Sequence, residues 1–137
     1  MSKQTVLILC TGNSARSQMA EGLLRHMAGD HFEVASAGTK PSTVRPEAVQ
    51  AMKEIGISLD CHRSKSVDEF VGRPIDYVIT VCDNAKESCP VFLNSSSRIH
   101  RGFDDPATFQ GPQQERLDVF RRVRDEIREY LKTFPAV

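Results

Sequence analysis

The sequence predicts an open α/β fold built on a parallel sheet, and two patterns support this prediction. Short apolar runs rich in β-branched residues alternate along the chain with segments whose apolar residues recur at helical spacing. The potentially reactive side chains follow the predicted strands, and in open α/β sheets this is where ligands bind. The length of 137 residues fits a single domain that spans residues 1–137.

The predicted strands begin with residues 5–9, a continuous apolar run of the kind that is buried on both faces of a sheet. Further strands are predicted at 32–37 and 75–81, with a short fourth at 98–99. Three helices are predicted, from about residue 16 to 27, at 46–55 ahead of Gly56, and at 113–132. The apolar side chains that indicate the first helix are Met19, Ala20, Leu23, Leu24 and Met27.

Composition and charge indicate which kinds of binding partner are not expected for this protein. The hydrophobic fraction is 39%, the charged fraction is 26%, and the formal net charge is zero. A balanced charge gives no electrostatic reason to expect nucleic acid or an anionic membrane as a partner. There is no apolar run of membrane-spanning length and no signal-peptide pattern, so a cytoplasmic location is expected. In that compartment cysteines more often serve chemistry than structural disulfides.

The segment from Cys10 to Ser17 joins the first predicted strand to the first predicted helix. Gly12 permits backbone dihedrals that are closed to other residues, and Asn13 tolerates the left-handed region better than most. Successive amides of such a loop can point into one concavity, and the helix N-terminus adds partial positive charge there. Arg16 can hold two oxygens of a tetrahedral anion in a bidentate fork. The predicted oxyanion-binding residues are Thr11, Gly12, Asn13, Ser14, Ala15 and Arg16.

The same surroundings favour Cys10 as a thiolate nucleophile, because helix N-termini and nearby cations lower the pKa of a cysteine. Ser17 is a candidate hydroxyl donor to its sulfur. The alternative is a chance Cys-x5-Arg spacing around a buried structural cysteine. The preceding apolar strand, the Gly-Asn turn and the following amphipathic helix favour the catalytic interpretation.

These residues resemble the phosphate loop of the low-molecular-weight protein tyrosine phosphatase superfamily, and the similarity covers essentially the whole chain. Residues 36–39, with the sequence SAGT, and Asp104-Asp105-Pro106 match other stretches of that superfamily. The resemblance implies a three-layer fold with a four-stranded parallel sheet of order 2-1-3-4 flanked by helices. It also implies that Asp105 is a general acid or polar helper beside the loop. The alternative for Asp104-Asp105-Pro106 is a solvated turn.

Cys82 and Cys89 distinguish two enzyme hypotheses that share this loop. Cys82 ends the third predicted strand, and Cys89 follows after a short polar segment. Taken alone, the two cysteines could also be unrelated buried residues or half of a metal site. No CxxC pair or tight histidine cluster supports a metal site, and no metal or cofactor is expected.

The arrangement of Cys10, Cys82 and Cys89 resembles the thioredoxin-coupled arsenate reductases, a branch of the same superfamily. The resemblance implies that Cys10 attacks arsenate and that Cys82 then attacks the sulfur of Cys10 and releases arsenite. Cys89 moves the disulfide to Cys82–Cys89, and thioredoxin reduces it. Phosphate and sulfate are expected as competing oxyanions, and the size and balanced charge suggest a monomer. The segment that carries Cys89 has to rearrange, so marginal local stability is expected there.

Two other functions remain open at this point. A phosphatase would need only Cys10, Arg16 and Asp105 and would hydrolyse phosphate monoesters through a phosphocysteine. Against it, Pro106 is followed by Ala107-Thr108 rather than by the aromatic residues that line phosphatase clefts in the family. A non-catalytic anion-binding module would keep the loop but would not need the intact Cys10.

Two positions depart from the arsenate reductase pattern. Arg101 stands where an aromatic residue is common, so it either alters packing near Asp105 or adds positive charge for the oxyanion. Lys65 stands where some members carry an aspartate in a monovalent-cation site, and its ammonium is expected to replace the cation and pair with Glu21. Cys61 is expected to be a partly buried spectator. The four histidines are expected to be structural or solvent-facing.

Overall fold

A computed structural model describes residues 3–81 and 97–134 and shows a four-stranded parallel sheet. The strand order is β2-β1-β3-β4, as the resemblance implied, so the predicted fold class is confirmed. The strands are β1 (Gln4–Cys10), β2 (Phe32–Gly38), β3 (Tyr77–Thr80) and β4 (Ser97–His100). The α-helices in the described residues are α1 (Arg16–Ala28), α2 (Pro46–Lys53) and α3 (Gln113–Leu131).

The central strand β1 is fully buried from Val6 to Cys10 because it pairs with β2 on one side and β3 on the other. This burial accounts for its continuous apolar sequence. Helix α1 packs against β1 and β2, and α3 packs against both α1 and α2. The core lies between these helices and the sheet, and Phe120, Val123 and Ile127 of α3 are buried in it.

Two helix ends explain where the sequence prediction succeeds and where it is less accurate. After α2, the backbone N–H groups of Gly56 and Ile57 donate to the carbonyls of Lys53 and Met52, and Gly56 has a φ of 82°. This is a Schellman ending, which requires a residue in the left-handed region. At the end of α1, Met27 is 39% exposed, because the last turn of the helix extends beyond the buried face that ends at Leu24.

The parallel pairing brings the carboxyl ends of the strands to one edge of the sheet. Cys10 lies opposite Gly38 in the register, and Leu9 lies opposite Thr80. No helix in residues 3–81 or 97–134 is long and apolar enough to cross a membrane.

Candidate active site

The candidate site lies at the carboxyl edge of the sheet, where β1 ends at Cys10 and α1 begins at Arg16. The loop between them is short, and Cys10 is only 2% exposed. The sequence prediction of a strand, a tight loop and a helix around these two residues therefore agrees with the structure. Their chemical roles stay predictions.

Four backbone carbonyls of this loop point towards a neighbouring segment of the chain, which binds them. Four amides of residues 39–45 donate to four loop carbonyls. The bonds are Thr39 N to Cys10 O (3.2 Å), Lys40 N to Thr11 O (2.9 Å), Ser42 N to Gly12 O (3.1 Å) and Arg45 N to Ser14 O (2.8 Å). In a trans peptide the N–H points opposite to the C=O. The amides of residues 11, 12, 13 and 15 therefore face the opposite side, as an anion nest requires.

Asn13 holds the loop in its sharp bend. Its φ is 47°, in the left-handed region, and the residue is fully buried. The side-chain amide donates to Ser17 Oγ (2.7 Å) and Ser36 Oγ (3.0 Å), while its oxygen accepts from Lys65 N (3.0 Å). Gly12 and Asn13 were the two residues expected to tolerate unusual dihedrals, and of the two it is Asn13 that has a positive φ. The side-chain hydrogen bonds stabilise Asn13 in this conformation.

Gly38 at the end of β2 allows the loop to approach the sheet. A Cβ at this position would lie 2.5 Å from Thr11 O and 2.9 Å from Asn13 N. The second strand must therefore end in a residue without a side chain. The sequence prediction placed Gly38 after the strand but did not identify this contact.

The N-terminus of α1 is left open towards the loop. Ala15 occupies the cap position without a side-chain hydrogen bond, and there is no acidic residue in the first turn. The partial positive charge of the helix end is thus not neutralised locally and can act on a bound anion or thiolate. Ser17 is fully buried, and its oxygen accepts from Asn13, which leaves its hydroxyl hydrogen to be donated to another acceptor.

The Arg16 guanidinium is anchored through one of its edges, and its other edge remains available to a ligand. Its Nη1 donates to Phe103 O (3.1 Å), and its Nη2 lies 3.4 Å from Asp105 Oδ2. Nε is buried and has no hydrogen-bond partner among the described residues. A buried donor of this kind is costly unless something binds it. The edge formed by Nε and Nη2 is therefore suited to hold two oxygens of an anion.

Asp105 faces this guanidinium at the start of the 3-10 turn Pro106–Thr108. One carboxylate oxygen accepts from Ala107 N (3.0 Å), which leaves the other, Oδ2, towards Arg16. The Asp105 side chain is 35% exposed, so water and a leaving group can reach it. Its neighbour Asp104 is 76% exposed and instead pairs with Arg122 (3.3 Å). Asp105, and not Asp104, is thus placed beside the loop.

A cluster of charged side chains around the buried carboxylate of Glu21 supports the loop from behind. Glu21 Oε1 accepts from Ser36 Oγ (2.6 Å), and its Oε2 pairs with Arg25 Nη2 (2.7 Å). Lys65 Nζ lies 3.8 Å from Glu21 Oε1, so the predicted pair is present. Burial lowers the pKa of Lys65, and the nearby Glu21 carboxylate partly opposes this shift.

Gln18 and His62 belong to this cluster, and sequence reasoning assigned neither of them a place in it. Gln18 Nε2 lies 3.1 Å from Asn13 O and 3.0 Å from Asn13 Oδ1, and Gln18 Oε1 lies 2.8 Å from His62 Nδ1. Burial lowers the pKa of His62, while the Glu21 carboxylate acts in the opposite direction. Gln18 could have been identified in the sequence as a polar residue on the face of the first helical turn that is otherwise buried. His62 carries no local signal.

The remaining cysteines differ in what the structure describes. Cys82 and Cys89 lie outside the described residues. Cys61 is exposed, so the expectation of partial burial is wrong. The reason is a turn in which His62 N donates to Leu59 O (3.0 Å) and whose flanking side chains, Leu59 and His62, point inwards. In the two described ranges, no group of three or more His, Cys, Asp or Glu side chains is arranged to hold a metal ion.

Comparisons with known proteins agree with this architecture. Residues 5–136 match the family model of low molecular weight phosphotyrosine protein phosphatases. The chain is 47% identical over 134 residues to an arsenate reductase of Halalkalibacterium halodurans, covering 98% of this chain and 96% of that protein. It is 44% identical, with the same coverage, to an arsenate reductase of Bacillus subtilis.

Solved structures of arsenate reductases are also similar to this chain. An arsenate reductase in the oxidized state superposes with a TM-score of 0.81 at 28% identity, covering 95% of both chains. A thioredoxin-dependent arsenate reductase of Corynebacterium glutamicum superposes with a TM-score of 0.67 at 29% identity, covering 96% of this chain and 61% of that one. With its fold, its loop and its sequence all matching, the chain belongs to the low molecular weight phosphotyrosine protein phosphatase family.

Proposed function

We propose that this chain is a single catalytic domain that reduces arsenate to arsenite with a cysteine relay. The observation that carries the anion-binding part is the loop at Cys10, whose amides share one side and whose neighbour Arg16 has a buried, unpartnered Nε. The observation that favours reduction is the full-length identity of 47% to a protein named arsenate reductase. Cys82 and Cys89 in the sequence are the electron donors that this reaction needs.

In the first step, the loop holds the arsenate oxygens through the amides of residues 11–16 and the Nε and Nη2 edge of Arg16. The Cys10 thiolate attacks arsenic, a sulfur–arsenic bond forms, and an oxygen leaves as water after it receives a proton. Asp105 is the proposed proton donor, since its Oδ2 lies beside the guanidinium that holds the anion. Ser17 is the proposed hydroxyl donor that stabilises the thiolate.

In the second step, the Cys82 thiolate attacks the sulfur of Cys10. The sulfur–arsenic bond breaks with its electron pair left on arsenic, so As(V) becomes As(III), arsenite departs, and a Cys10–Cys82 disulfide remains. Cys89 then attacks Cys82, which frees Cys10 and leaves a Cys82–Cys89 disulfide. Thioredoxin supplies the two electrons that restore both thiols. Phosphate and sulfate compete for the loop, the protein acts in the cytoplasm, and it works as a monomer.

The test is steady-state arsenate reduction with thioredoxin, thioredoxin reductase and NADPH. We expect Cys10→Ser to abolish activity, and Cys89→Ser to complete one round of reduction but not to turn over. The matched control is Cys61→Ser, because Cys61 is exposed and has no role in the relay. Full multiple turnover by Cys89→Ser would refute the relay, and activity in Cys10→Ser would refute the nucleophile.

A phosphatase is the second candidate, favoured by the family model that matches residues 5–136. It would use the same loop and Asp105 and would leave Cys82 and Cys89 dispensable. Hydrolysis of p-nitrophenyl phosphate at a higher kcat/KM than arsenate reduction, unchanged in Cys82→Ser, would establish it in place of the reductase. Alkylation of Cys10 that blocks turnover, with phosphate protecting against it, would exclude a non-catalytic anion-binding module.

A further inference from the structure

We propose that Arg101 is a positioning residue that holds Phe103, and through the Phe103 carbonyl holds Arg16, in place for the oxyanion. The guanidinium carbon of Arg101 lies 4.5 Å from the centroid of the Phe103 ring and 5.9 Å from that of the Tyr130 ring. The two rings meet edge to face, with centroids 6.1 Å apart. The inference rests on the oxyanion site of the proposed function and adds a residue that determines its geometry.

Phe103 connects three parts of the site. Its carbonyl accepts from Arg16 Nη1 (3.1 Å), and its N–H donates to Val81 O (3.1 Å) at the end of β3. Its ring is packed in the core cluster. A shift of Phe103 would therefore move the atom that anchors Arg16, and with it the Nε and Nη2 edge that faces the anion and Asp105.

Arg101 restrains this residue from the outer side. Its backbone N–H donates to Thr80 O (2.9 Å), and its Nη1 donates to Gly102 O (2.5 Å), so both ends of the residue are held. The flat guanidinium covers the Phe103 ring as an aromatic side chain would, since arginine stacks on aromatic faces. The three-residue stack of Arg101, Phe103 and Tyr130 thus closes the outer face of the segment that leads to Asp105.

The contacts of the Arg101 guanidinium favour a role in packing against Phe103 over direct binding of the anion. The Arg101 side chain borders a groove that is also lined by Asp125, Glu126 and Glu129 of α3. Those three carboxylates pair with Arg124, Arg122 and Lys132, respectively. The Arg101 guanidinium instead contacts the rings of Phe103 and Tyr130 and the Gly102 carbonyl. Of the two possible roles of an arginine at this position, the structure assigns the stacking role.

The experiment compares Arg101→Ala, Arg101→Lys and Arg101→Tyr in arsenate reduction and in competitive inhibition by inorganic phosphate. We expect Arg101→Ala to raise the KM for arsenate and the Ki for phosphate by roughly fivefold, with a smaller change in kcat, as expected for loss of a cation–π contact that positions a binding group. Arg101→Tyr restores the stack and should recover both constants. Arg101→Lys keeps the positive charge but lacks the planar guanidinium, so it should not recover the two constants. The control is Arg98→Ala, which removes an exposed charge from β4, the strand that leads to Arg101.

A double-mutant cycle tests whether the effect passes through Phe103. In a Phe103→Leu background, the Arg101→Ala substitution should add no further loss, because the ring it acts on is gone. Additive losses, recovery by Lys rather than Tyr, or wild-type constants in Arg101→Ala would each overturn the positioning role. If the wild-type protein binds phosphate and reduces arsenate, such results overturn this inference alone. If it does neither, the proposed function fails, and the positioning role fails with it.

Discussion

The loop at Cys10 and the segment around Asp105 face the same site, but very different amounts of structure hold them. The loop is fixed by four backbone hydrogen bonds to residues 39–45 and by the buried side chains of Asn13 and Gln18. The Asp105 segment depends on Arg16, on two backbone bonds to the end of β3 (Arg101 N to Thr80 O and Phe103 N to Val81 O) and on a stack with an exposed arginine. In the proposed function, the more firmly held part binds the anion and the less constrained part supplies the proton.

This difference has an energetic consequence. Groups that hold the loop are buried and belong to the folding core, so their loss should lower stability and activity together. The polar contacts of the Asp105 side chain itself are partly exposed, with 35% of that side chain open to solvent, and such contacts contribute little to stability. Their loss should change the kinetics while the free energy of unfolding stays nearly constant. The four predictions below test this separation.

The largest expected effect is that of Gly38→Ala, on the loop side of the comparison. The added Cβ would lie 2.5 Å from Thr11 O, so either the loop or β2 has to move. We expect a loss of about 3 kcal/mol in the free energy of unfolding in urea, together with loss of arsenate reduction. The stability control is Gly12→Ala, whose Cβ would meet nothing closer than 3.4 Å. A Gly38→Ala variant as stable as wild type would show that the loop is not rigidly held.

The second effect is that of Asp105→Asn, on the other side of the comparison. The amide oxygen can still accept from Ala107 N, but the side chain can no longer donate a carboxyl proton. We expect kcat to fall by about a hundredfold, while the urea unfolding free energy changes by less than about 1 kcal/mol. Asp104→Asn is the matched control, because that neighbour pairs with Arg122 instead. Equal losses in the two variants would remove the case for Asp105 as the acid.

The third effect is a dependence of stability on pH that arises behind the loop. Burial lowers the pKa of His62 below its ordinary value of 6.5, so the unfolded chain binds a proton more readily than the folded one. Above pH 6.5 His62 is neutral in both states and does not reduce the free energy of unfolding. As the pH falls from 6.5 towards the pKa of His62 in the folded protein, protonation of the unfolded chain lowers the free energy of unfolding. The Tm of wild type should drop in this window.

The substitution that isolates this effect is His62→Asn, which keeps a donor for Gln18 Oε1 but cannot be protonated. Its Tm should fall less steeply with acidification than that of wild type. His31→Asn changes an exposed histidine and should leave the wild-type profile unaltered. Parallel profiles for wild type and His62→Asn would show that another group causes the acid sensitivity.

The smallest expected effect concerns potassium. The ammonium of Lys65 lies 3.8 Å from Glu21 Oε1, beside the loop that Asn13 holds. Since a cation of the chain itself already faces this carboxylate, added potassium chloride should not change the KM for arsenate relative to sodium chloride at equal ionic strength. Lys65→Asp, which removes that ammonium, should gain a response to potassium. A strong potassium requirement in wild type would contradict this assignment.

How far the sequence predicted the site can be seen from single residues. Cys10 and Arg16 were identified from a local motif and Asp105 from the family resemblance, and the structure brings all three to one edge of the sheet. Gly12 and Asn13 were both predicted to tolerate unusual dihedrals, but dihedral tolerance alone did not reveal that Asn13, which gains side-chain hydrogen bonds, takes the left-handed conformation. His62 and Phe103 were not assigned to the site, because their partners are distant along the chain.

The sequence by itself determined the helices, the strands and the candidate reactive residues that neighbouring positions in the chain specify. The period of apolar residues specifies strands and helices, and the spacing from Cys10 to Arg16 spans one strand end, one loop and one helix start. Only the tertiary structure decided how the guanidinium is aimed, because its anchor on Phe103 is 87 residues away. Likewise, the outward carbonyls of the loop depend on residues 39–45. Contacts of this kind join polar groups that are far apart along the chain, and the period of apolar residues does not show which of these groups will meet.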